Sequence, residues 1–211
     1  YNIIYYPVLD NDIAYVTNGW GGLKIIDFSD PAAPQVVGSL DTHGFTENLF
    51  VFGNTAYVAD HAGLRAINFS IPTIPVEIDY YDTPGNLYSI AVYETLAFAA
   101  DALAGMRIYD VSDPENPQLL SIFETVEHTQ DIFVADQKAY LVNRNDGLKI
   151  IDVSNPGTPL LMGSYDTPGS AYEIIVQNTI AYIAAANSGL RLIDISDPLT
   201  PVEIGMFDTE I

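Results

Sequence analysis

Gly22-Leu23-Lys24-Ile25-Ile26-Asp27 decides the fold, because the stretch recurs. It returns as Gly63-Leu64-Arg65-Ala66-Ile67-Asn68, Gly105-Met106-Arg107-Ile108-Tyr109-Asp110, Gly147-Leu148-Lys149-Ile150-Ile151-Asp152 and Gly189-Leu190-Arg191-Leu192-Ile193-Asp194. The residue after each glycine stands at 23, 64, 106, 148 and 190, so the steps are 41, 42, 42 and 42. Other features keep the same spacing. Ala14-Tyr15, Ala56-Tyr57, Ala97-Phe98, Ala139-Tyr140 and Ala181-Tyr182 precede the motif. Asp30-Pro31, Ile71-Pro72, Asp113-Pro114, Asn155-Pro156 and Asp197-Pro198 follow it. Asp-Thr closes four copies, at Asp41, Asp82, Asp166 and Asp208, with Glu124-Thr125 as the variant.

Each copy reads as four short strands. Ser89-Ile90-Ala91-Val92-Tyr93 alternates with the β period, followed by Ala97 to Ala100, Met106 to Val111 and Leu119 to Glu124. Pro, Gly, Asn and Asp stand between them, where turns require them. No segment has a capped helical period. Four strands in each copy of about 42 residues predict an all-β, five-bladed β-propeller with four antiparallel strands per blade. The predicted domain is 1–211, with copies at 1–42, 43–83, 84–125, 126–167 and 168–211. Leucine-rich and ankyrin solenoids have shorter periods and contain helices, so they fit less well. The chain starts and stops near repeat junctions, which predicts five whole blades. The first blade is expected to pack on the fifth without a strand shared between the termini.

Composition bounds the partners. Seven Lys and Arg against 28 Asp and Glu give a net charge of −21. Such a surface repels nucleic acid and anionic membranes. It reads as a solvated acidic shell. No run of 18 apolar residues offers a membrane span, and no signal peptide is present. There are no cysteines, which excludes disulfides, thiolate zinc sites and cysteine nucleophiles. The chain begins at Tyr1 rather than methionine, as a processed or trimmed piece of a longer product would.

The five copies of Gly-Leu-x-Ile-x-Asp-x-Ser-Asp-Pro-x-x-Pro resemble the LVIVD repeat of bacterial and archaeal surface proteins, over essentially the whole chain. Ala14-Tyr15-Val16-Thr17-Asn18 is also similar to the related YVTN surface-layer propellers. The resemblance implies a β-propeller with an extracellular or cell-surface location. It implies no reaction and no ligand. The second copy departs most, with Ala66, Asn68 and Ile71 in place of Ile, Asp and Asp.

Residues that repeat are expected to build the scaffold. Five of the seven basic residues occupy one position: Lys24, Arg65, Arg107, Lys149 and Arg191. One cation per blade, its stem packed and its charge on repeated carboxylates, is the reading preferred over an anion-gripping ring. Asp27, Asp110, Asp152 and Asp194, with Asp30, Asp113 and Asp197, fit side-chain capping of the turn before the fourth strand. No Asp-x-Asp-x-Asp-Gly loop occurs, so no cofactor is expected, with calcium the one admissible ion.

Residues that break the repeat carry the functional expectation. By analogy with other propellers, ligands meet the loops that lead into the first strand of each blade and the turns between its second and third strands. The candidate ligand residues there are Trp20, His43, Glu47, Asn48, His61, Tyr88, His128, Asp131, Arg144, Tyr172 and Glu173. All three histidines and the only tryptophan fall in these segments. A metal site would need His43, His61 and His128 to converge, and none is predicted. No catalytic motif is present, and a pair such as Asp131 and Glu173 arises easily among 28 carboxylates. The expectation is a non-enzymatic surface module that recognises a protein or glycan. The alternatives are a self-associating building block of a surface layer or filament, and a hydrolase or lyase using those two carboxylates.

Overall fold

The computed structural model describes residues 3–209. Their twenty strands form five four-stranded antiparallel sheets, each made of consecutive strands. The first holds β1 (Pro7–Asp10), β2 (Ile13–Thr17), β3 (Leu23–Asp27) and β4 (Gln35–Leu40). The second holds β5 (Thr46–Phe52), β6 (Thr55–Asp60), β7 (Gly63–Asn68) and β8 (Val76–Asp82). The third holds β9 (Ser89–Tyr93), β10 (Leu96–Ala100), β11 (Met106–Asp110) and β12 (Gln118–Phe123). The fourth holds β13 (Thr129–Ala135), β14 (Lys138–Asn143), β15 (Gly147–Asp152) and β16 (Leu160–Tyr165). The fifth holds β17 (Glu173–Gln177), β18 (Ile180–Ala184), β19 (Leu190–Asp194) and β20 (Val202–Phe207). β1 pairs with β2, so the N-terminal strand belongs to the first sheet, as the sequence predicts.

The turns follow from residue chemistry. In each sheet the first two strands join through a two-residue turn whose first residue is left-handed: Asn11, Gly53, Glu94, Asp136 and Asn178. Gly, Asn and Asp tolerate that conformation, and it matches the twist of a tight hairpin. Between the third and fourth strands the repeated carboxylates cap the turn. The Ser29, Ser112, Ser154 and Ser196 N–H groups donate to Asp27, Asp110, Asp152 and Asp194 at 2.8, 2.9, 2.9 and 2.9 Å. These bonds, from the backbone and hydroxyl of each serine, hold the four carboxyls below their ordinary range.

The chain divides into two compact units, residues 1–99 with 110–118, and residues 100–109 with 119–211. In the first unit, Tyr15, Leu23 and Ile25 of the first sheet pack on Leu49, Ala56, Val58 and Ile67 of the second. Tyr57 is fully buried there, and burial followed by the Asp113 charge pushes its phenol up to about 12. In the second unit, Tyr140, Val142, Leu148 and Ile150 of the fourth sheet pack on Ala171, Ile174, Ile183 and Ile193 of the fifth. One pattern serves both cores. The forward face of each of these sheets, turned toward the next sheet in chain order, offers Tyr, Leu and Ile, and the next sheet answers with aliphatic residues.

The fifth sheet breaks this pattern. Leu190 is 37% exposed, whereas Leu23, Leu64, Met106 and Leu148 at the same repeat position are buried.

The repeated cations are paired as predicted, with one exception. Arg65 bonds Asp60 at 2.7 Å and Glu77 at 2.8 Å. Arg107 bonds Asp101 at 2.7 Å, Lys149 reaches Asp146 at 3.3 Å, and Arg191 reaches Glu203 and Asp208 at 3.4 and 3.3 Å. Burial works against the Arg65 charge, but its two carboxylate partners outweigh that and raise its pKa. The residue that opens the preceding turn differs between copies. It is Asp60 and Asp101 where Arg65 and Arg107 pair with it, Asn18 and Asn143 in the copies with Lys24 and Lys149, and Ala185 in the copy whose Arg191 pairs with Glu203 and Asp208 instead. Arginine's planar fork suits a buried carboxylate, which a neutral amide does not require. Lys24 makes no ion pair among the described residues and is only half-buried.

Candidate binding site on the turn face

Backbone hydrogen bonds between neighbouring sheets fix the candidate loops. In the second, fourth and fifth sheets the residue that leads into the inner strand donates its N–H to the turn of the preceding sheet. Thr46 donates to Gly19 O at 3.1 Å, Thr129 to Ala102 O at 3.0 Å and Ala171 to Arg144 O at 3.0 Å. Bonds also run the other way within a sheet: His61 N–H donates to Phe45 O at 3.0 Å, and Arg144 N–H to His128 O at 2.9 Å. The Thr46 hydroxyl adds a bond to Gly19 O at 3.0 Å, and the Thr17 hydroxyl one to Glu47 O at 2.8 Å. The non-repeating side chains thus stand on a rigid base, which limits the ordering entropy a ligand must overcome.

In the first unit the structure gathers Trp20, Glu47, His61 and Tyr88 around Phe45. Phe45 lies edge-on to Trp20 at 5.5 Å and to Tyr5 at 5.0 Å, and His61 lies 4.9 Å from it at a tilt. Tyr88 continues the row, 5.4 Å from His61. Glu47 Oε1 stands 3.1 Å from His61 Nε2, at ion-pair distance but without hydrogen-bond alignment. Trp20 is 64% exposed, so it is no plug over the core. Gly19 beneath it is left-handed, and a Cβ there would press on Phe45 and Tyr5 at 3.2 and 3.3 Å. That glycine lets the turn lie flat on the aromatic row. Asn48 follows Glu47 on β5, with its Oδ1 buried and lacking a hydrogen-bond partner. His43 is exposed and left-handed, and its N–H caps Asp41 Oδ1 at 3.0 Å.

The second unit holds the remaining candidates. The Arg144 guanidinium lies over the Tyr172 ring at 5.5 Å. Glu127 accepts from Asn145 Nδ2 at 2.9 Å, and the Ser170 hydroxyl donates to Asn145 Oδ1 at 3.4 Å. His128 Nδ1, Gln130 Oε1 and Arg144 Nε are buried without a protein hydrogen-bond partner. Buried polar atoms are normally paired, so such atoms mark a place for ligand or water. Asp131 is engaged structurally, because Ile174 N–H donates to its Oδ2 at 2.9 Å across two inner strands. Glu173, the other half of the predicted carboxylate pair, is exposed at the start of β17. Among the described residues no three His, Asp or Glu side chains converge as metal ligands.

Phe45 and Tyr5 belong to the site but are not among the residues that sequence reasoning put forward as ligand contacts. Phe45 is the hub of the row, and its repeat counterparts Asn86, His128 and Ser170 are not apolar, which is the signal that could have marked it. Tyr5 falls in the first copy at the repeat position of Tyr88 and Tyr172, which is the signal that could have marked it.

Five four-stranded sheets, one per repeat, define a five-bladed β-propeller. The chain belongs to the LVIVD repeat family, whose model matches residues 9–42, 43–83, 84–125, 127–167 and 168–209. No protein of curated function matches it. Among solved structures it is similar to a functionally unknown protein from Desulfotomaculum acetoxidans DSM 771, at TM-score 0.78 and 14% identity, covering 97% of this chain and 70% of that one. It is also similar to the computationally designed Ika8 protein, at TM-score 0.76 and 13% identity, covering 98% of this chain. The match spans only 62% of Ika8's length. The β-propeller domain of Myceliophteria thermophila Cps50 matches at TM-score 0.73 and 14% identity, over 90% of this chain and 68% of that domain. At these identities the likeness is one of fold. Among the described residues no helix is long and apolar enough to cross a membrane.

Proposed function

We propose that this LVIVD propeller is a non-enzymatic binding module of the cell exterior, and that its turn face recognises a glycan or a protein with Trp20 as the contact platform. The observation that carries the reading is the exposed indole at the end of the Phe45–His61–Tyr88 row. A large apolar ring held rigidly in solvent is otherwise a liability, and Trp and Tyr dominate binding energy where they occur at contacts. The apolar C–H face of a sugar ring, or an apolar side chain of a protein, fits over it. Glu47, which stands beside His61 in the same row, can accept a hydroxyl or amide donor, and the −21 charge disfavours polyanions. The engagement of Asp131 with Ile174 N–H supports the non-enzymatic reading over the carboxylate-pair alternative.

The test is a glycan array with the wild-type chain, followed by calorimetry of each hit with Trp20→Ala and Tyr172→Ala. Loss of about 30-fold or more in affinity for Trp20→Ala is expected, the scale of an aromatic hot spot. An empty array together with an empty pull-down from cell-surface extract would overturn the reading, as would a ligand held equally well by Trp20→Ala.

A further inference from the structure

We propose that His128, Gln130, Arg144 and Tyr172 form a second binding site, which takes an acidic sugar by its carboxylate. The site lies within the second unit and does not rest on the Trp20 reading. It is the polar counterpart of the aromatic row. By the repeat, Phe45, Glu47, His61 and Tyr88 align with His128, Gln130, Arg144 and Tyr172. The backbone agrees, because Arg144 N–H donates to His128 O at 2.9 Å as His61 N–H donates to Phe45 O at 3.0 Å. Glu47 and Gln130 are each the extra residue of a β-bulge, between Thr46 and Asn48 and between Thr129 and Asp131. A bulge re-aims the side chain it carries, and here it does so alike in both copies. The last two members also match, with the Arg144 guanidinium 5.5 Å from the Tyr172 ring and His61 5.4 Å from that of Tyr88.

What differs is the charge. In the row, Glu47 Oε1 stands 3.1 Å from His61 Nε2. In the second unit the glutamate position holds Gln130 and the histidine position Arg144, so a permanent cation stands where the carboxylate has been lost. The nearby carboxylates are engaged elsewhere. Glu127 accepts from Asn145 Nδ2 at 2.9 Å, Asp131 from Ile174 N–H at 2.9 Å, and Asp146 pairs with Lys149 at 3.3 Å. Among the described residues Arg144 pairs with no carboxylate and has the Tyr172 ring as its side-chain partner.

The orphaned atoms say what the ligand carries. Arg144 Nε, Gln130 Oε1 and His128 Nδ1 are buried without a hydrogen-bond partner, while the three residues as wholes are only half-buried, so a ligand can reach them. A cationic donor beside a neutral acceptor requires the reverse pattern, an anionic acceptor beside a donor. A carboxylate accepts from the guanidinium while the cation stays over the Tyr172 ring. A hydroxyl of the same ligand donates to Gln130 Oε1. A uronic acid residue carries both groups. The −21 charge opposes a run of such residues, so a single acidic sugar in an otherwise neutral glycan is the fit.

The test is an NMR titration of the wild-type chain with methyl glucuronide, with methyl glucoside as its neutral counterpart and with N-acetylglutamate as a carboxylate without the sugar. The glucuronide is expected to bind about tenfold more tightly than either of the others. Arg144→Gln should lose about tenfold or more of that affinity. Gln130→Glu restores the carboxylate that Glu47 supplies in the row, and it should occupy Arg144 internally and weaken the glucuronide as much. Circular dichroism checks that both variants fold. Trp20→Ala should leave glucuronide binding unchanged, which separates this site from the Trp20 platform, and a loss there overturns the assignment. So does a wild type that ignores the glucuronide, a glucoside or N-acetylglutamate that binds as well, or a folded Arg144→Gln or Gln130→Glu variant with wild-type affinity.

Discussion

Asp101→Asn should destabilise this protein far more than a surface substitution of the same kind. Asp101 is fully buried, and its Oδ2 holds Arg107 Nε at 2.7 Å, with the arginine side chain only 10% exposed. The amide keeps the shape but leaves the guanidinium charge buried without its counter-charge. Breaking such a pair from one side costs about 3–5 kcal/mol. For a chain of this length each kcal/mol lowers the melting temperature by about 2–4 °C, so a fall of about 6–20 °C is expected. Lys24→Met at the equivalent repeat position should change stability by no more than about 0.5 kcal/mol, because Lys24 has no such partner. The double variant Asp101→Asn/Arg107→Met removes both charges and should recover most of the loss. Thermal melts by circular dichroism, with urea titrations to check that the slope is unchanged, read all three. The argument that the repeated cations are scaffold fails if Asp101→Asn melts within about 2 °C of wild type, or if Lys24→Met costs as much.

Acid should unfold the protein partly through its turn caps. Asp27, Asp110, Asp152 and Asp194 have depressed folded-state pKa values, so their contribution is present above the unfolded value of about 3.9 and is lost as pH falls through the lower folded values. Melts from about pH 7 to about pH 2.5 should drop steeply below about pH 4, and less steeply in Asp110→Asn. Gly147 and Gly53 are both left-handed, at φ 63° and 58°, but a Cβ on Gly147 meets Tyr165 O and Thr167 N whereas one on Gly53 meets nothing. Gly53→Ala should therefore cost about 1–2 kcal/mol, and Gly147→Ala about 1–3 kcal/mol more, by urea denaturation. Added salt should raise the melting temperature, because it screens the self-repulsion of the −21 charge, and a flat response would contradict that.

The fold was legible because most repeated side chains do the same job from one sheet to the next. A carboxylate before serine caps a turn wherever it stands, as Asp27 and Asp194 both do. The site was only half legible. Trp20, His61 and Tyr88 break the repeat and proved to be neighbours, yet the part of Phe45 in joining them became evident only from the geometry. The histidines could not have shared a register, since His43, His61 and His128 align with Pro84, Arg144 and Phe45 respectively. Asp131 looked like a ligand residue because its exposure on an inner strand could be guessed and its bond to Ile174 N–H could not.

Trp20 is the only tryptophan in the chain, so its emission isolates the proposed contact from everything else. The most direct measurement is therefore a fluorescence titration of the wild-type chain with the strongest glycan or protein ligand recovered, paired with acrylamide quenching. The account predicts a blue shift and reduced quenching as the exposed indole is covered. A ligand that saturates the protein while Trp20 emission and quenching stay unchanged would contradict it.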